Sequence, residues 1–291
     1  MKMFNLNLLA LCMLSACHGQ QTPETPREAR TFQRPQALLF VDDLLLVTET
    51  GYGRSGWQTG HLALIDPTTA TFLERWPTSQ LNPQRIRSDG HSVFVVNSGS
   101  FDFADFESPQ AATAGGVDMI SIETIKTRRP EIENWVLPVP EDHDAPSAPI
   151  DIAINNDQMV VTSALRPAVW LSQRQLPSET TTLVHLNSQA NIGLGSVAVW
   201  RDRFLIIDFN SDAVTFITPQ GTLADCSVHI GSDEIAFEGA QSPLVHEDNL
   251  YILMALSGRV ISLDLNQLIE HCTVHSRVVI PSTGQVPNDM H

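Results

Sequence analysis

PQALLFVDDLLLVTE at residues 35–49 consists of an apolar strand, a tight polar turn and a second, strongly apolar strand. The turn Asp42-Asp43 has the residue types that favour β-hairpins. Four later segments repeat the pattern: PQRIRSDGHSVFVVN from Pro83, PIDIAINNDQMVVTS from Pro149, GSVAVWRDRFLIIDF from Gly195 and QSPLVHEDNLYILMA from Gln241. The sequence therefore predicts five hairpins, which begin 48, 66, 46 and 46 residues apart.

Two further apolar segments follow each hairpin. The third strands are HLALID, VDMISIE, AVWLSQ, AVTFITP and RVISLDL, and the fourth are TFLERWP, IENWVLP, TLVHLN, DCSVHIG and CTVHSRVVI. Helical periodicity is nearly absent, and only residues 265–271 suggest a turn of helix. Four antiparallel strands per unit at this period are typical of a β-propeller, because each blade needs neighbours to bury its faces.

We therefore predict an all-β propeller over residues 35–291, with five four-stranded blades and with six or seven blades as alternatives. A β-sandwich is the other all-β architecture of this size, but it has no reason to repeat its sequence at this period. Hydrophobic residues make up 42% of the chain, which is enough for a large core.

The first 17 residues have the layout of a secretory signal. Lys2 precedes a short apolar stretch, and Leu14-Ser15-Ala16-Cys17 follows it. This ending resembles the bacterial lipobox, which implies cleavage before Cys17 and acyl chains such as palmitate on the new amino-terminal cysteine. The alternatives are an ordinary signal peptide or an uncleaved anchor, although the apolar stretch is too short to span a bilayer.

Residues 1–16 are accordingly predicted to be a lipoprotein signal peptide, and residues 17–34 a lipidated, flexible tether. The tether is polar and contains two prolines, so its mean span is roughly 20–25 Å. The lipid implies attachment to a membrane of the cell envelope. His18 is not the aspartate that retains lipoproteins at the inner membrane of enteric bacteria, so the outer membrane is favoured, with the domain facing the periplasm or the surface.

The predicted mature chain is strongly acidic. It has 16 Lys+Arg and 33 Asp+Glu, because only Lys2 leaves with the signal, and its net charge is 16 − 33 = −17. Phosphate backbones and anionic head groups repel such a surface. Nucleic acid is therefore not an expected partner, and the acyl chains would hold the protein at the membrane without a basic patch.

Two stretches, VFVVNSGS and GGVDMISIETIKT, resemble the repeats of bacterial YncE-like propellers. In those repeats an Asn-Ser-like turn precedes a strand that ends in Asp, and a turn with Thr follows. LALIDPTTATFLERWP and NSDAVTFITPQGTL are similar to the same pattern. The resemblance implies a secreted binding or scaffolding propeller, often with seven blades, and it transfers no catalytic residue.

Strand order divides the connections between two rims. The turns from first to second and from third to fourth strand share one rim, where we expect short turns throughout. The opposite rim, called the long-loop rim here, carries the segments 49–60, 97–116, 138–149 and 231–240. Long loops on a rigid scaffold commonly carry function.

Aromatic and acidic side chains are concentrated in these long segments. The candidate binding residues are Tyr52, Trp57, Phe101, Asp102, Phe103, Asp105, Phe106, Glu107, Asp142, His143 and Asp144, and we expect Glu238 to be a further exposed acid. Exposed aromatic residues surrounded by acids would suit a protein, peptide or glycan partner. Alternatively, the phenylalanines plug the axial channel and the acids are solvated.

Two cysteines remain in the predicted domain, and they occupy matching places as Cys226-Ser-Val-His and Cys272-Thr-Val-His. A disulfide between neighbouring outer strands is favoured over free thiols and over a zinc site with His229 and His275. Residues three apart on a strand point to opposite faces, which disfavours zinc. The run 141–144 could hold a divalent cation, although a solvated loop is favoured, and no cofactor is expected.

No nucleophile elbow or His-Glu-x-x-His motif occurs in the sequence, so an enzyme is the less favoured class. The first hypothesis is a membrane-anchored envelope lipoprotein whose propeller binds a partner through the long-loop rim. The alternatives are a metal-assisted hydrolase or lactonase with acids around the axis, and a scaffold subunit of an outer-membrane assembly complex.

Overall fold

The computed structural model describes residues 34–280, apart from 53–55, 103–109, 140–145, 187–193, 233–237 and 275–276. Within these residues the chain forms 22 strands and three short helices. Five four-stranded sheets take up twenty of the strands, and the other two strands form a small hairpin. Every strand pair is antiparallel.

The five sheets follow one another along the chain. The first consists of β1 (Pro35–Val41), β2 (Leu44–Glu49), β3 (Thr59–Asp66) and β4 (Thr71–Leu81). The second consists of β5 (Pro83–Ser88), β6 (Ser92–Asn97), β9 (Gly116–Ser121) and β10 (Ile132–Val136), with the small hairpin β7 (Phe101–Asp102) and β8 (Gln110–Ala111) between β6 and β9. The third consists of β11 (Pro149–Asn155), β12 (Gln158–Ser163), β13 (Ala168–Gln173) and β14 (Thr182–His185). The fourth consists of β15 (Leu194–Trp200), β16 (Arg203–Asp208), β17 (Ala213–Ile217) and β18 (Leu223–His229). The fifth consists of β19 (Ala240–His246), β20 (Asn249–Met254), β21 (Arg259–Asp264) and β22 (Arg277–Ile280).

These sheets confirm the predicted all-β propeller fold, and each begins with one of the five predicted hairpins. In each of the five four-stranded sheets, the strands pair in the order in which they occur along the chain. This meander arises because a turn of a few polar residues follows each apolar strand and returns the chain alongside it. Alternating apolar residues then give each sheet two apolar faces.

Apolar clusters join each sheet to the next one in the chain. Leu46 and Leu64 of the first sheet pack against Val93 and Val95 of the second. Separate clusters join the second to the third, the third to the fourth and the fourth to the fifth sheet. Among the described residues no such cluster joins the fifth sheet back to the first. Within the described residues, four apolar interfaces therefore link the five sheets in series.

Two tryptophans lie at the interface of the second and third sheets. Trp135 and Trp170 are fully buried, and both indole N–H groups have partners. Trp135 donates to Thr181 Oγ1 at 3.0 Å, and Trp170 donates to the Pro138 carbonyl at 2.9 Å. A buried indole that keeps its hydrogen bond adds apolar contact area without leaving a polar atom unsatisfied.

The rim opposite the long loops differs from the prediction of short turns throughout. Three of its third-to-fourth connections contain a helix: α1 (Ile122–Lys126), α2 (Pro177–Thr180) and α3 (Leu265–His271). Only α3 coincides with the helical turn expected at residues 265–271. Asp264 caps it by accepting from the backbone N–H groups of Asn266 and Gln267, which leads the chain directly from β21 into the helix.

On this rim an ion pair connects the second and third sheets. The Asp89 carboxylate, in the β5–β6 turn, pairs with Arg174, which follows β13. Burial alone would raise the pKa of Asp89, but N–H donors from Ser92 and His91, together with Arg174, outweigh burial and lower that pKa. The carboxylate therefore stabilises the folded state only while it is ionised.

Asp89→Asn is expected to lower the free energy of unfolding at neutral pH by about 1.5–3 kcal/mol, because charge-assisted hydrogen bonds are lost. Since folding lowers the pKa of Asp89, its contribution is complete above the unfolded value of about 4. The stability contribution of Asp89 disappears as the pH falls through the pKa that this carboxyl has in the folded protein. Urea unfolding at neutral pH and at steps down to about pH 2 measures this. The difference in the free energy of unfolding between Asp89→Asn and the wild type should shrink as the pH falls. The control variant Asp43→Asn, in an exposed turn, should have little effect at any pH. A difference that is independent of pH would contradict the assignment.

Candidate functional site

The second strands of the five sheets end on the long-loop rim. Their last residues are Glu49, Asn97, Ser163, Asp208 and Met254. The loops that follow in the third, fourth and fifth sheets have only four residues each, at 164–167, 209–212 and 255–258. The loops 50–58 and 98–115 are much longer, so the surface that these loops build lies over the first and second sheets.

Aromatic side chains from both of these loops meet. The ring centroids of Tyr52 and Trp57 are 4.7 Å apart, and those of Trp57 and Phe101 are 6.5 Å apart. The guanidinium of Arg34, which precedes β1, lies 4.9 Å from the centroid of the Tyr52 ring. Tyr52 is 41% exposed. We call Tyr52, Trp57 and Phe101 the aromatic cluster.

Backbone hydrogen bonds hold the base of the second loop. Ser98 N donates to the Asn82 carbonyl at 2.9 Å, and Gly99 N donates to the Leu81 carbonyl at 3.0 Å. Gly99 has φ +75°, and a Cβ at this position would lie 2.2 Å from the Thr113 carbonyl oxygen. The loop therefore leaves β6 along a defined path that is bonded to the first sheet, and it positions Phe101 near Trp57.

The structure brings together only part of the predicted binding set. Tyr52, Trp57 and Phe101 form the aromatic cluster, and Asp102 lies exposed beside Phe101 in β7. The remaining predicted residues lie outside the described part of the chain: Phe103, Asp105, Phe106, Glu107, Asp142, His143 and Asp144. For these seven the binding role and the channel-plug alternative both stay predictions.

Glu238 is not the exposed rim acid that the sequence suggested. Its side chain is fully buried, its Oε2 accepts from Ser232 N at 2.7 Å, and its other oxygen pairs with Arg259. Burial would raise the pKa of Glu238, but Arg259, Ser257 and the Ser232 N–H together lower it. The carboxylate therefore fastens the link between the fourth and fifth sheets.

Three amide side chains between the first and second sheets were missed by sequence reasoning. Asn97, at the end of β6, is fully buried, and both its Nδ2 and Oδ1 lack a hydrogen-bond partner among the described residues. The same holds for Asn82 Nδ2 and Gln80 Oε1. An Asn at a strand end suggests only a turn, so nothing in the sequence marks these groups as buried.

The two cysteines do not occupy matching places. Cys226 lies in β18, whereas Cys272 follows α3 as its C-cap with φ 51°, and the fourth strand of the last sheet starts only at Arg277. The helix interrupts the expected strand, so this part of the prediction was wrong. The Cys226 side chain and His275 lie outside the described residues, and the disulfide stays a prediction. Within the described ranges no group of three or more His, Cys, Asp or Glu is placed to hold a metal ion.

A cavity opens on the opposite rim, between the second and third sheets. It is lined by His91, Ser92, Phe94, Met119, Glu133, Arg174 and Gln175. The nearest charged pair is Asp89 with Arg174, whose groups already bind each other. None of the predicted binding residues that the structure describes lines this cavity, and the aromatic cluster contributes nothing to it.

The fold and its rim define an all-β propeller of the type found in known solved structures. The chain is similar to virginiamycin B lyase from Staphylococcus aureus, with 12% identity, a TM-score of 0.62 and coverage of 89% of this chain and 73% of that one. A streptogramin B lyase structure gives 10% identity, a TM-score of 0.62 and coverage of 88% and 71%. The computationally designed Ika8 protein gives 11% identity, a TM-score of 0.53 and coverage of 84% and 61%.

At such low identity these likenesses show the fold alone. No protein-family model matches the sequence, and no curated protein matches it either. The helices of the described residues are all too short and too polar to cross a membrane. The function therefore has to be argued from the chain's own residues.

Arg259→Ala is expected to lower the free energy of unfolding at neutral pH by roughly 2–4 kcal/mol, because the buried Glu238 carboxylate loses its cation. Arg201→Ala, which removes an exposed partner of Asp248, should have a much smaller effect. Because protonation neutralises the unpaired Glu238, the loss in the Arg259 variant should shrink as the pH falls. Urea unfolding of both variants measures the difference, and equal losses would show that Glu238 is not a buried anchor.

Proposed function

We propose that this protein is a binding protein of the cell envelope, held at a membrane by lipid on Cys17, and that the long-loop rim holds a protein, peptide or glycan partner. The observation that carries the proposal is the aromatic cluster. Tyr52 and Trp57 come from one loop and Phe101 from another, and they meet at a rim on a rigid scaffold. Aromatic side chains are enriched in binding surfaces, because they offer a large contact area and lose little side-chain conformational entropy on binding.

The charge of the chain indicates what such a partner offers. With 33 acidic and 17 basic residues, the protein attracts partners that carry basic groups, repels acidic ones and does not repel neutral ones. Asp102 lies exposed next to Phe101, which places a carboxylate beside the aromatic rings. A partner with an apolar or sugar face flanked by basic or hydroxyl groups fits this combination.

The contacts of two buried acids weigh against a hydrolytic role for these two carboxylates. Asp118 accepts from Ser79 N at 2.9 Å and from Asn134 Nδ2 at 3.0 Å. Asp212 accepts from Glu238 N and Ala240 N at 2.6 and 2.8 Å. Carboxylates that already bind backbone N–H groups are structural anchors, and their oxygens are less available to activate water.

Membrane attachment depends on the lipobox-like ending at Cys17. Cys17→Ser should abolish acylation, because the sulfur that receives the diacylglycerol is absent. The variant is expected to accumulate as uncleaved precursor or as soluble protein, whereas Ser15→Ala, at a position occupied by small residues, should behave as the wild type. Membrane fractionation and intact-mass measurement test this. Unchanged mass and membrane retention of Cys17→Ser would rule out the anchor.

Trp57→Ala is expected to reduce capture of the partner from detergent-solubilised envelopes by at least tenfold, if Trp57 is a binding hot spot worth about 2 kcal/mol. Leu256→Ala is the matched control, since Leu256 is a 63% exposed apolar residue on the same rim over the fifth sheet. Melting temperatures of both variants separate lost binding from lost stability. Undiminished capture by a Trp57→Ala protein with an unchanged melting temperature would remove the aromatic cluster from consideration.

A further inference from the structure

One face of the first sheet is covered by none of the other described sheets. The strand register places Phe40, Leu45, Ile65 and Phe72 on this face. Leu38, Val47 and Ala63 lie on it in the next row. We call these seven residues the free face. The opposite face packs against the second sheet, and the buried residues of the free face form a cluster that contains residues of the first sheet alone.

Exposure across the free face is uneven. Leu38 and Phe40 on β1 are 47% and 60% exposed, yet Leu45, Val47, Ala63 and Ile65 are at most 8% exposed. A side chain on the face of a single sheet keeps contact with water unless something lies across it. The burial of these four residues therefore points to a covering segment that belongs to none of the five sheets.

The free face ends in polar groups at the long-loop rim. Glu49 pairs with His61 in the β2–β3 ladder, and Arg75 Nε lies 2.8 Å from Glu49 Oε2. Arg75 Nη2 and His61 Nδ1 are buried, and the described residues offer neither of them a hydrogen-bond partner. A buried guanidinium N–H calls for an acceptor, so a matching cover carries a carboxylate or a carbonyl at this place.

The chain enters the propeller beside these polar groups. The Arg34 carbonyl accepts from Thr50 N at 3.3 Å, and the next residue, Pro35, pairs with Glu49. Residues 18–33 precede this point. At about 3.3 Å per residue they reach up to about 50 Å when extended, whereas the seven residues of β1 span about 23 Å. The segment includes the carboxylates Glu24 and Glu28 and the aromatic Phe32.

We propose that residues 18–33 lie across the free face of the first sheet, with Glu24 or Glu28 accepting from Arg75 and Phe32 on the apolar side chains. The covalent connection at Arg34 keeps the segment close to the face, which favours docking even when the individual contacts are weak. This proposal does not depend on lipidation or on the aromatic cluster.

Photocrosslinking tests where residues 18–33 lie. The full chain carries benzoylphenylalanine in place of Phe40, which preserves an aromatic ring, and mass spectrometry identifies the cross-linked peptides. Intramolecular cross-links to residues 18–33 are expected. Leu176, which is 50% exposed beside α2, is the control position and should give none. Cross-links between two copies, or to another protein, or none to this segment in a protein with wild-type melting temperature, would overturn the proposal.

A second pair of variants tests the polar contact. Glu24→Gln combined with Glu28→Gln should reduce the yield of the cross-link several-fold, because Arg75 loses its acceptor charge. Arg27→Gln combined with Arg30→Gln changes the same segment without removing a carboxylate and should leave the yield unchanged. The same yield in all three proteins would show that Arg75 does not hold the segment and would overturn the proposal in this form. Neither result bears on whether the aromatic cluster binds a partner.

Discussion

Face-to-face packing of apolar sheets is the constraint on which the rest of this structure depends. A four-stranded antiparallel sheet with alternating side chains has two faces to bury, and each interface between neighbouring sheets buries one face of each. Four such interfaces join the five described sheets. The same packing places the acids at strand ends, such as Glu49 and Asp208, at the rim, where a cation or backbone N–H groups meet their hydrogen-bonding needs.

The rim is consequently built from two kinds of acid. Buried carboxylates such as Asp212 and Glu238 accept from backbone N–H groups and shape the connections between sheets. Asp102, in contrast, remains exposed beside the aromatic cluster. Composition counts both kinds alike, but only the second kind is exposed at the surface. The excess of acids in the sequence thus overstates the number of carboxylates that can take part in binding.

Local pattern was sufficient to predict the hairpins, because a polar pair such as Asp42-Asp43 between two apolar runs has few other solutions. It failed where a distant contact decides the outcome. Glu238 looks like a loop acid until Arg259, on a later strand, makes its burial favourable. Cys272 is the C-cap of α3 and has a left-handed backbone conformation. The last strand therefore begins at Arg277, later in the sequence than the alternation of apolar residues suggests. The meeting of Trp57 with Phe101 depends on loops that are adjacent only once the sheets pack.

The connection from the first to the second sheet consists of Asn82 alone, in the left-handed conformation that Asn tolerates, with φ 60°. The other three connections between sheets run over 137–148, 186–193 and 230–239. The two sheets that carry the aromatic cluster are therefore joined by the shortest of the four connections. A ligand that touches both sheets therefore requires little movement of one sheet relative to the other, so its residence time depends mainly on the contacts it makes.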